Sequence, residues 1–481
     1  MSLGNFVKSV QDIMRMDAGI NGDAQRIEQM VWILFLKIFD TKEQEWELME
    51  DNYKEIVPKR YQWQNWAADE EGITGDELLE FVDRLFKDIR DLAVDEKSDK
   101  RKVLLREFFN DSHNYMKSGT LLRQVINKVN ELDFQSFEER HAFNDIYEKI
   151  LKDLQSAGNA GEYYTPRPVT DFMIEILNPK IGEKVADFAC GTGGFLISAL
   201  NHIQKNQGKD FGVEEIKMLS KSVYGIEKKP MPYMLCMTNM MLHDIDTPNI
   251  IHDNGLSIKV REIPSSQKVD VIAMNPPFGG TEEEGIKLNF PSEFRTSETA
   301  DLFLVRIMYQ LKDGGRAGIV LPDGFLFGEG IKTKIKEKLL EEFNLHTIVK
   351  LPNGVFAPYT GINTNLLFFE KGNPTKEIWF YEHPLPDGYK NYTKTKPIKL
   401  SEFELEKKWW NNREENDYTW KVSIDEIVEQ NYSMDFKNPN KQEIVYDNPE
   451  EVLEEYNKTL KEIAEIREML RTELESALKG E

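Results

Sequence analysis

Cysteine and histidine are scarce in this chain of 481 residues, which has only two cysteines and seven histidines. Cys190 and Cys236 cannot build a disulfide framework and are too few for a thiolate zinc site, and the histidines show no HExxH-type spacing. No signal peptide is visible, and no apolar run is long enough to cross a bilayer. These absences predict a cytoplasmic protein with no metal site and no membrane contact.

Positive charge is also in deficit, because 61 basic residues face 84 acidic ones and the formal net charge is −23. A protein that binds nucleic acid without a partner is expected to have a net positive charge. This chain must therefore bind any polyanionic partner at a local basic patch or through another subunit. The length allows two to four domains, and eight Trp and 27 Phe are enough for buried cores.

Residues 1–155 carry helical periodicity and almost no short β-type runs. The stretch AQRIEQMVWILFLKIFDTKEQEW places its apolar residues on one wide stripe, and GDELLEFVDRLFKDI and GTLLRQVINKVNEL repeat the pattern. The sequence therefore predicts an all-α N-terminal domain over 1–155.

Short β-rich runs alternate with helical runs between residues 156 and 400. Six runs stand out: EKVADFA, SVYGIE, KVDVIAMN, RAGIVLP, LHTIVKLP and TNLLFFE. This alternation predicts an α/β domain with an open, Rossmann-like, largely parallel sheet. Ligands of such sheets bind at the carboxyl ends of the strands, near a topological switch point.

The C-terminal part is predicted as an irregular extension, 401–445, followed by one long helix, 446–481. Along that helix a 4-3 spacing, broken by Arg467, relates Leu453, Tyr456, Leu460, Ile463, Leu470 and Leu474. The spacing fits a helix that docks on a partner and equally a helix that packs on its own chain.

A glycine turn follows the first predicted strand in KVADFACGTGGFLISAL. Gly191, Gly193 and Gly194 let the backbone bend sharply and approach a ligand, and Asp187 ends the strand. A nicotinamide or flavin site could use such a turn, but its order is GxGG where the NAD fingerprint has GxGxxG. No lysine follows the glycines, which excludes a phosphate-binding P-loop.

Two further acids fall where the next strands end. Glu227 closes YGIE, where a carboxylate can accept both hydroxyls of a ribose, and Asp253 lies in IIHDNGL, where an acid could accept an adenine amine. Each acid alone fits a solvated loop. In order on consecutive strands they predict a cradle for a nucleoside without a triphosphate.

The stretch VIAMNPPFGG ends a β-branched run in Asn275, Pro276, Pro277 and Phe278. The Asn275 carboxamide oxygen and the Pro276 carbonyl can both accept from a nucleobase amine, which favours a pyramidal nitrogen with a localised lone pair. Consecutive prolines fix φ and remove competing donors, and Phe278 can stack on a flipped base. In isolation the same four residues also fit a rigid turn after a strand.

Together, DFACGTGGF, YGIE and NPPF resemble the motifs of S-adenosylmethionine-dependent DNA amino-methyltransferases. The chain is similar, more narrowly, to the modification (M) subunits, HsdM, of type I restriction-modification systems. GEYYTPRPVTDFM, LPNGVFAPYTGINTNLLFFEK and NYSMDFKNPN support this resemblance, which spans essentially the whole chain. Phe188 departs from the family's usual proline, and Glu162 from its usual glutamine.

The resemblance implies roles for matching positions, and makes 156–400 the methyltransferase catalytic domain. Asn275, Pro276, Pro277 and Phe278 would hold the target adenine. The implied cofactor-binding residues are Tyr164, Thr165, Pro166, Asp187, Gly191, Thr192, Gly193, Gly194, Glu227 and Asp253.

The implied reaction transfers a methyl group from S-adenosylmethionine to N6 of a flipped adenine in DNA. The chain has no room for a target-recognition domain, so the resemblance implies a separate specificity (S) subunit, a second M subunit and a restriction (R) subunit as partners. Rival hypotheses are a stand-alone amino-methyltransferase of DNA, RNA or protein amides, a non-catalytic cofactor-binding scaffold and, more distantly, a nicotinamide dehydrogenase. The loop 279–300 is expected to close over the base when DNA and cofactor bind, or else to be permanently ordered.

Overall fold

The computed structural model describes residues 3–134, 143–144, 147–148, 150–151, 164–207, 213–440 and 449–479. The chain divides into one compact unit, Met1–Phe436, and a second unit, Lys437–Glu481. Among the helices described, none combines the length and the apolar character that a bilayer crossing requires.

The described part of the N-terminal region is helical, as predicted. Its long second helix buries an aliphatic and aromatic face on which Phe35 and Phe108 stack with ring centroids 3.5 Å apart. Side chains cap two of the later helices, where Asp99 accepts from the Arg101 amide and Ser118 from the Leu121 amide. The helices are α1 Leu3–Arg15, α2 Asp23–Met49, α3 Trp63–Trp66, α4 Gly75–Arg90, α5 Lys100–Asn110 and α6 Gly119–Asn130.

The rest of the compact unit is built on one nine-stranded sheet in the order β3-β2-β1-β4-β5-β7-β6-β8-β9. Neighbours from β3 to β5 pair in parallel, β6 pairs in parallel with β8, and the pairs β5–β7, β6–β7 and β8–β9 are antiparallel. The strands are β1 Val185–Asp187, β2 Val223–Glu227, β3 Ile250–His252, β4 Val269–Met274, β5 Leu311–Pro322, β6 Phe343–Lys350, β7 Thr364–Lys371, β8 Glu377–Glu382 and β9 Thr419–Ser423.

Helices cover both faces of this sheet, which is why its central strands read as continuous apolar runs. The helices are α7 Arg167–Leu177, α8 Gly194–Gln207, α9 Val213–Ser222, α10 Pro230–Leu242, α11 Glu284–Lys287, α12 Thr299–Gln310, α13 Asp323–Phe327, α14 Ile331–Glu342, α15 Glu404–Asn411 and α16 Ile424–Glu429.

The strand order reverses between β1 and β4. From β1 the chain moves outward through β2 to β3, and it then returns to β4 on the other side of β1. Connections that leave adjacent strands in opposite directions open a crevice at their carboxyl ends, which is the expected ligand position. The predicted open sheet with mainly parallel pairing is therefore confirmed, with a mixed outer half.

The expectation of irregular chain over 401–445 needs correction for its described part. Residues 404–411 form α15, and β9 pairs with β8 from Glu377 opposite Ser423 to Tyr381 opposite Thr419. Val422 and Trp420 are buried and face the core. These alternating apolar positions sit among polar residues, so the short strand was hidden in the sequence.

The second unit contains the predicted long helix, α17 Pro449–Lys479. Its apolar side chains are exposed where they are described, and they comprise Leu453, Tyr456, Leu460, Ile463, Ile466, Met469 and Leu470.

Candidate active site

A cavity of about 260 Å³ opens at the carboxyl ends of β1, β2 and β4, at the switch point. It collects residues that are far apart in sequence, from the segment before α7 to the start of α12. Eight of the predicted site residues line it: Thr165, Asp187, Gly191, Thr192, Gly194, Glu227, Asn275 and Pro277.

The glycine turn between β1 and α8 forms the floor of this cavity. Gly191 has φ +54° and Gly193 has φ +83°, which are left-handed conformations that glycine adopts without strain. A Cβ on Gly193 would lie 2.9 Å from the Cys236 sulfur. The glycines are therefore needed both for the turn and for the close approach of α10.

Glu227 joins the end of β2 to this turn. Its Oε2 accepts from the Gly191 amide at 2.9 Å, and its Oε1 accepts from the Lys229 amide at 2.7 Å. The residue is only 6% exposed but lines the cavity. Main-chain amides thus fix the carboxylate at the cavity wall.

Asp187 ends β1 beside Glu227 and is almost completely buried. Burial raises the pKa of its carboxyl well above the ordinary value. The hydrogen bond from the Ala189 amide opposes this shift, and the charge of Glu227 adds to it.

The Cys190 sulfur lies 4.0 Å from that of Cys236, and this contact together with burial raises the pKa of the Cys190 thiol. Both thiols are buried, and a buried cysteine with a raised pKa is a poor nucleophile.

Asn275 follows directly after β4. Its Nδ2 donates to the Thr165 hydroxyl at 3.1 Å. Its Oδ1 is buried and accepts no hydrogen bond from any residue that the structure describes. The amide nitrogen is thus engaged, and the oxygen of this cavity-lining residue is left without a donor among the described residues.

Thr165 is itself held by its neighbours. Arg167, which begins α7, donates its Nε to the Glu148 carboxylate at 2.9 Å. Tyr164 is 4% exposed, and its hydroxyl lies 3.4 Å from the same carboxylate. This anchor fixes the chain on either side of Thr165 and so fixes the partner of Asn275.

Residues 275–278 form the Asn-Pro-Pro-Phe corner, and its last residue, Phe278, does not line the cavity. Phe278 is half-buried and packs edge-to-face on Phe356, with ring centroids 6.3 Å apart and an interplanar angle of 83°. Pro276 is buried and Pro277 is exposed at the rim.

Six predicted site residues do not line the cavity: Tyr164, Pro166, Gly193, Asp253, Pro276 and Phe278. Asp253 is the furthest from expectation. It is exposed, and its carboxylate accepts from the Asn254 amide at 2.7 Å and from the Ser257 hydroxyl at 3.1 Å. It stabilises its own turn.

Sequence reasoning missed several residues that line the cavity, among them Asn254, Glu282, Lys228 and Phe303. Asn254 and Glu282 each lie within a few residues of a recognised motif, and this proximity could have marked them as candidates. Phe303 lies inside an ordinary apolar helix, and nothing in the sequence around it indicated a site. Phe188 also lines the cavity, and the Arg306 guanidinium lies 3.8 Å from its ring centroid.

Both ends of the loop 279–300 contribute to the cavity lining, at Gly280, Thr281, Glu282 and Thr299. The Glu282 amide donates to the Ser297 carbonyl at 3.2 Å, and the Thr299 amide donates to the Gly280 carbonyl at 3.1 Å. Phe290 and Phe294 are buried. Its closure over a bound base remains a prediction. Glu162 lies outside the described residues.

The lining suits an organic ligand. The described residues contain no group of three His, Cys, Asp or Glu that could hold a metal ion. Instead, a glycine turn, a fixed carboxylate and an unpaired carboxamide oxygen converge on one enclosed space, which fits a nucleoside and a hydrogen-bond donor beside it.

Two family models match the chain. The model described as N-6 DNA Methylase matches residues 138–448, and the model described as HsdM N-terminal domain matches residues 3–129. The two matches meet between residues 129 and 138, before the predicted change from helical to α/β sequence at residue 156.

Similar proteins cover the chain over its whole length. The EcoEI type I restriction enzyme methylase subunit of Escherichia coli is 57% identical over 100% of this chain and 99% of its own. The solved modification subunit assigned to a type I restriction enzyme of Vibrio vulnificus YJ016 is 44% identical, with a TM-score of 0.81 over 92% of this chain and 98% of that one. A chain solved in a study of the assembly and conformational transition of the type I R-M system is 37% identical, with a TM-score of 0.82 over 100% and 99%.

Proposed function

Because the chain belongs to the N-6 DNA methylase family, among the methylase subunits of type I restriction enzymes, we propose that its cavity binds S-adenosylmethionine and that Asn275 directs adenine methylation there. The chain is an adenine-specific DNA methyltransferase subunit of the type I class. Our proposal concerns the identity of the cofactor, the roles of the site residues and the partner subunits.

The cavity residues support this cofactor. Glu227 would accept the ribose hydroxyls, and the turn at Gly191 and Thr192 would lie along the methionine part. The N-terminal end of α8, which begins at Gly194, favours a carboxylate nearby. S-adenosylmethionine, when bound, supplies a methyl group on an activated sulfonium sulfur.

One observation carries the catalytic proposal: the Oδ1 atom of Asn275 is buried at the cavity wall without a partner among the described residues. Leaving a buried acceptor unpaired costs about 1–3 kcal/mol, and a ligand that donates a hydrogen bond to this oxygen would recover that cost. An exocyclic amine is a poor nucleophile because its lone pair is delocalised into the ring. An acceptor on each N–H bond favours the pyramidal nitrogen of the transition state.

The corner supplies two such acceptors in fixed positions. Thr165 holds the carboxamide with its oxygen free, and the Pro276 carbonyl is the second acceptor in the proposal. Both groups are in place before the reaction, so no reorganisation is needed as charge develops on the amine. A base within a duplex cannot reach this corner and must be flipped out, at a cost of a few kcal/mol.

Target selection is proposed to belong to a specificity subunit, with a second M subunit and a restriction subunit in the larger assembly. The net charge of −23 argues against strong binding of DNA by this chain alone. The exposed apolar residues of α17, including Leu453, Leu460 and Ile463, offer a surface that a helical partner could cover.

The test is methyl transfer with and without a specificity subunit. The purified chain, labelled S-adenosylmethionine and DNA carrying the subunit's target site are mixed, and the modified base is identified by mass spectrometry. The proposal expects N6-methyladenine at that site only when the specificity subunit is present. Efficient methylation by the chain alone would favour a stand-alone enzyme, and cofactor binding without transfer in the full complex would favour a scaffold.

A further inference from the structure

The cavity lining holds a second carboxylate, largely buried, that the proposed function does not use. We propose that Glu282 accepts the exocyclic amine of the cofactor's purine, the role that the resemblance assigned to Asp253. This inference rests on the proposed function, because it takes the ligand to be an adenine nucleoside whose ribose meets Glu227.

Asp253 is poorly placed for that role. It is exposed and does not line the cavity, and its carboxylate accepts from the Asn254 amide and the Ser257 hydroxyl of its own turn. The next residue in the chain, Asn254, lines the cavity instead. The third strand therefore delivers a carboxamide, not a carboxylate, to the cavity wall.

Both ends of the Asn254 carboxamide are bonded to the protein. Its Oδ1 already accepts from the Leu256 amide at 2.9 Å, and its Nδ2 donates to the Glu282 Oε2 at 3.0 Å. The carboxamide thus orients the Glu282 carboxylate rather than offering an acceptor of its own.

Glu282 has the properties that Asp253 lacks. Its side chain is only 6% exposed, and it lines the cavity. A carboxylate accepts at about four lone-pair positions, so the contacts from Asn254 and Lys228 leave room for a further donor. The Lys228 ammonium, 3.5 Å from both carboxylate oxygens and half exposed, is the nearby counter-charge.

The backbone around Glu282 is fixed as well. Residues 280–282 lie beside residues 297–299 through the Glu282–Ser297 and Thr299–Gly280 hydrogen bonds. Gly280 permits this approach, because a Cβ there would lie 2.8 Å from the Thr299 hydroxyl. The segment that follows the Asn-Pro-Pro-Phe corner therefore carries Glu282 to the cavity in one defined position.

This arrangement predicts how the site tells one purine from another. A 6-amino purine presents a donor to the carboxylate, whereas a 6-oxo purine presents a carbonyl and sets two acceptors against each other. Hydrogen bonds to charged groups contribute about 1.5–3 kcal/mol, so the amino form should bind roughly 10-fold to 100-fold more tightly.

The experiment measures the affinity of the full chain for S-adenosylhomocysteine and for its 6-oxo analogue, S-inosylhomocysteine, by titration calorimetry. The unchanged protein should prefer the amino form. In Glu282→Gln the preference should fall to within a few-fold, because an amide can turn to accept from an amine or donate to a carbonyl. Retained affinity of this variant for the 6-oxo nucleoside shows that its cavity is folded.

Two matched variants make the test specific. Glu283→Gln removes the same charge at an exposed neighbour and should keep the full preference. Asp253→Asn should also keep it. A full preference in Glu282→Gln, or its loss in Asp253→Asn, would overturn the inference while leaving the proposed cofactor intact. If the unchanged protein binds neither nucleoside, the proposed function fails together with the inference.

Discussion

Two buried polar clusters in the compact unit differ in where their hydrogen bonds go. The cavity cluster, Asp187, Glu227 and Asn275, is anchored by main-chain amides and by one hydroxyl, and all three residues line the cavity. The closed cluster, His383, Tyr392, Glu402 and Glu406, bonds chiefly within itself, and none of its members lines that cavity.

The closed cluster forms a chain of contacts. His383 pairs through Nδ1 with Glu406, and its Nε2 lies 3.2 Å from the Tyr392 hydroxyl, which donates to Glu402 at 2.8 Å. The Tyr392 amide also donates to the Asn353 carbonyl at 3.1 Å, in the loop that carries Phe356. This cluster therefore anchors the loop that carries Phe356, the residue on which Phe278 packs.

The comparison teaches how a buried acceptor signals function. Each cluster holds a buried oxygen without a partner among the described residues, Glu406 Oε2 in the closed cluster and Asn275 Oδ1 in the cavity cluster, but only Asn275 lines the cavity. An unpaired buried acceptor costs about 1–3 kcal/mol of stability, and an active site tolerates this cost because the acceptor later bonds to a ligand or a transition state. Substitutions in the two clusters should therefore have different consequences.

The largest effect is expected in the closed cluster. His383→Ala leaves Glu406 buried without its partner and should lower the free energy of unfolding by about 3–5 kcal/mol. Chemical denaturation measures this loss, and calorimetry below the transition should show unchanged cofactor affinity. His113→Ala, at an exposed histidine, is the control. Unchanged stability with lost cofactor affinity would erase the distinction between the clusters.

Asn275→Ala should have nearly as large an effect, on catalysis alone. Removing one preorganised hydrogen-bonding group from a transition state costs about 10²–10³-fold in rate. Methyl transfer by the complex with the specificity subunit should fall by that factor, while calorimetry shows retained cofactor affinity. Asn373→Ala, at an exposed loop asparagine, should behave like the unchanged chain. Affinity lost in parallel with rate would contradict the role given to Asn275.

A smaller effect concerns pH. Burial raises the pKa of Asp187, so as the pH falls this carboxyl gains its proton earlier than an ordinary aspartate and the cavity loses a negative charge. Affinity for the cationic S-adenosylmethionine should therefore decrease, by about tenfold or less, when the pH is lowered from about 8 to about 5. Asp187→Asn should flatten the profile. An equal decrease for S-adenosylhomocysteine, which lacks the sulfonium charge, would point to another group.

The smallest effect is expected at Thr165. Thr165→Val removes the hydroxyl that accepts from Asn275 and frees the carboxamide to rotate, at a cost of about 1 kcal/mol, or roughly fivefold in transfer rate. Thr165→Ser keeps the hydroxyl and should retain most of the rate. Equal rates for the valine and serine variants would show that Asn275 is oriented by something else.

The two clusters also differ in how far the sequence could reveal them. Glu227 and Asn275 end strands within short motifs, so their chemistry and their place on the sheet were predicted together. His383, Tyr392 and Glu406 come from three separate segments of polar chain, and their meeting depends on β8, β9 and α15, which local patterns did not predict. Glu282 was passed over because its role depends on a backbone pairing with Ser297.

The most direct test of the central claim is a crystal structure of the chain with S-adenosylhomocysteine. The account predicts the ribose hydroxyls within hydrogen-bond distance of Glu227, and the sulfur facing Asn275 Oδ1 across a space wide enough for a purine amine. A nucleoside bound outside the cavity at β1, β2 and β4, or a sulfur that points away from Asn275, would contradict it.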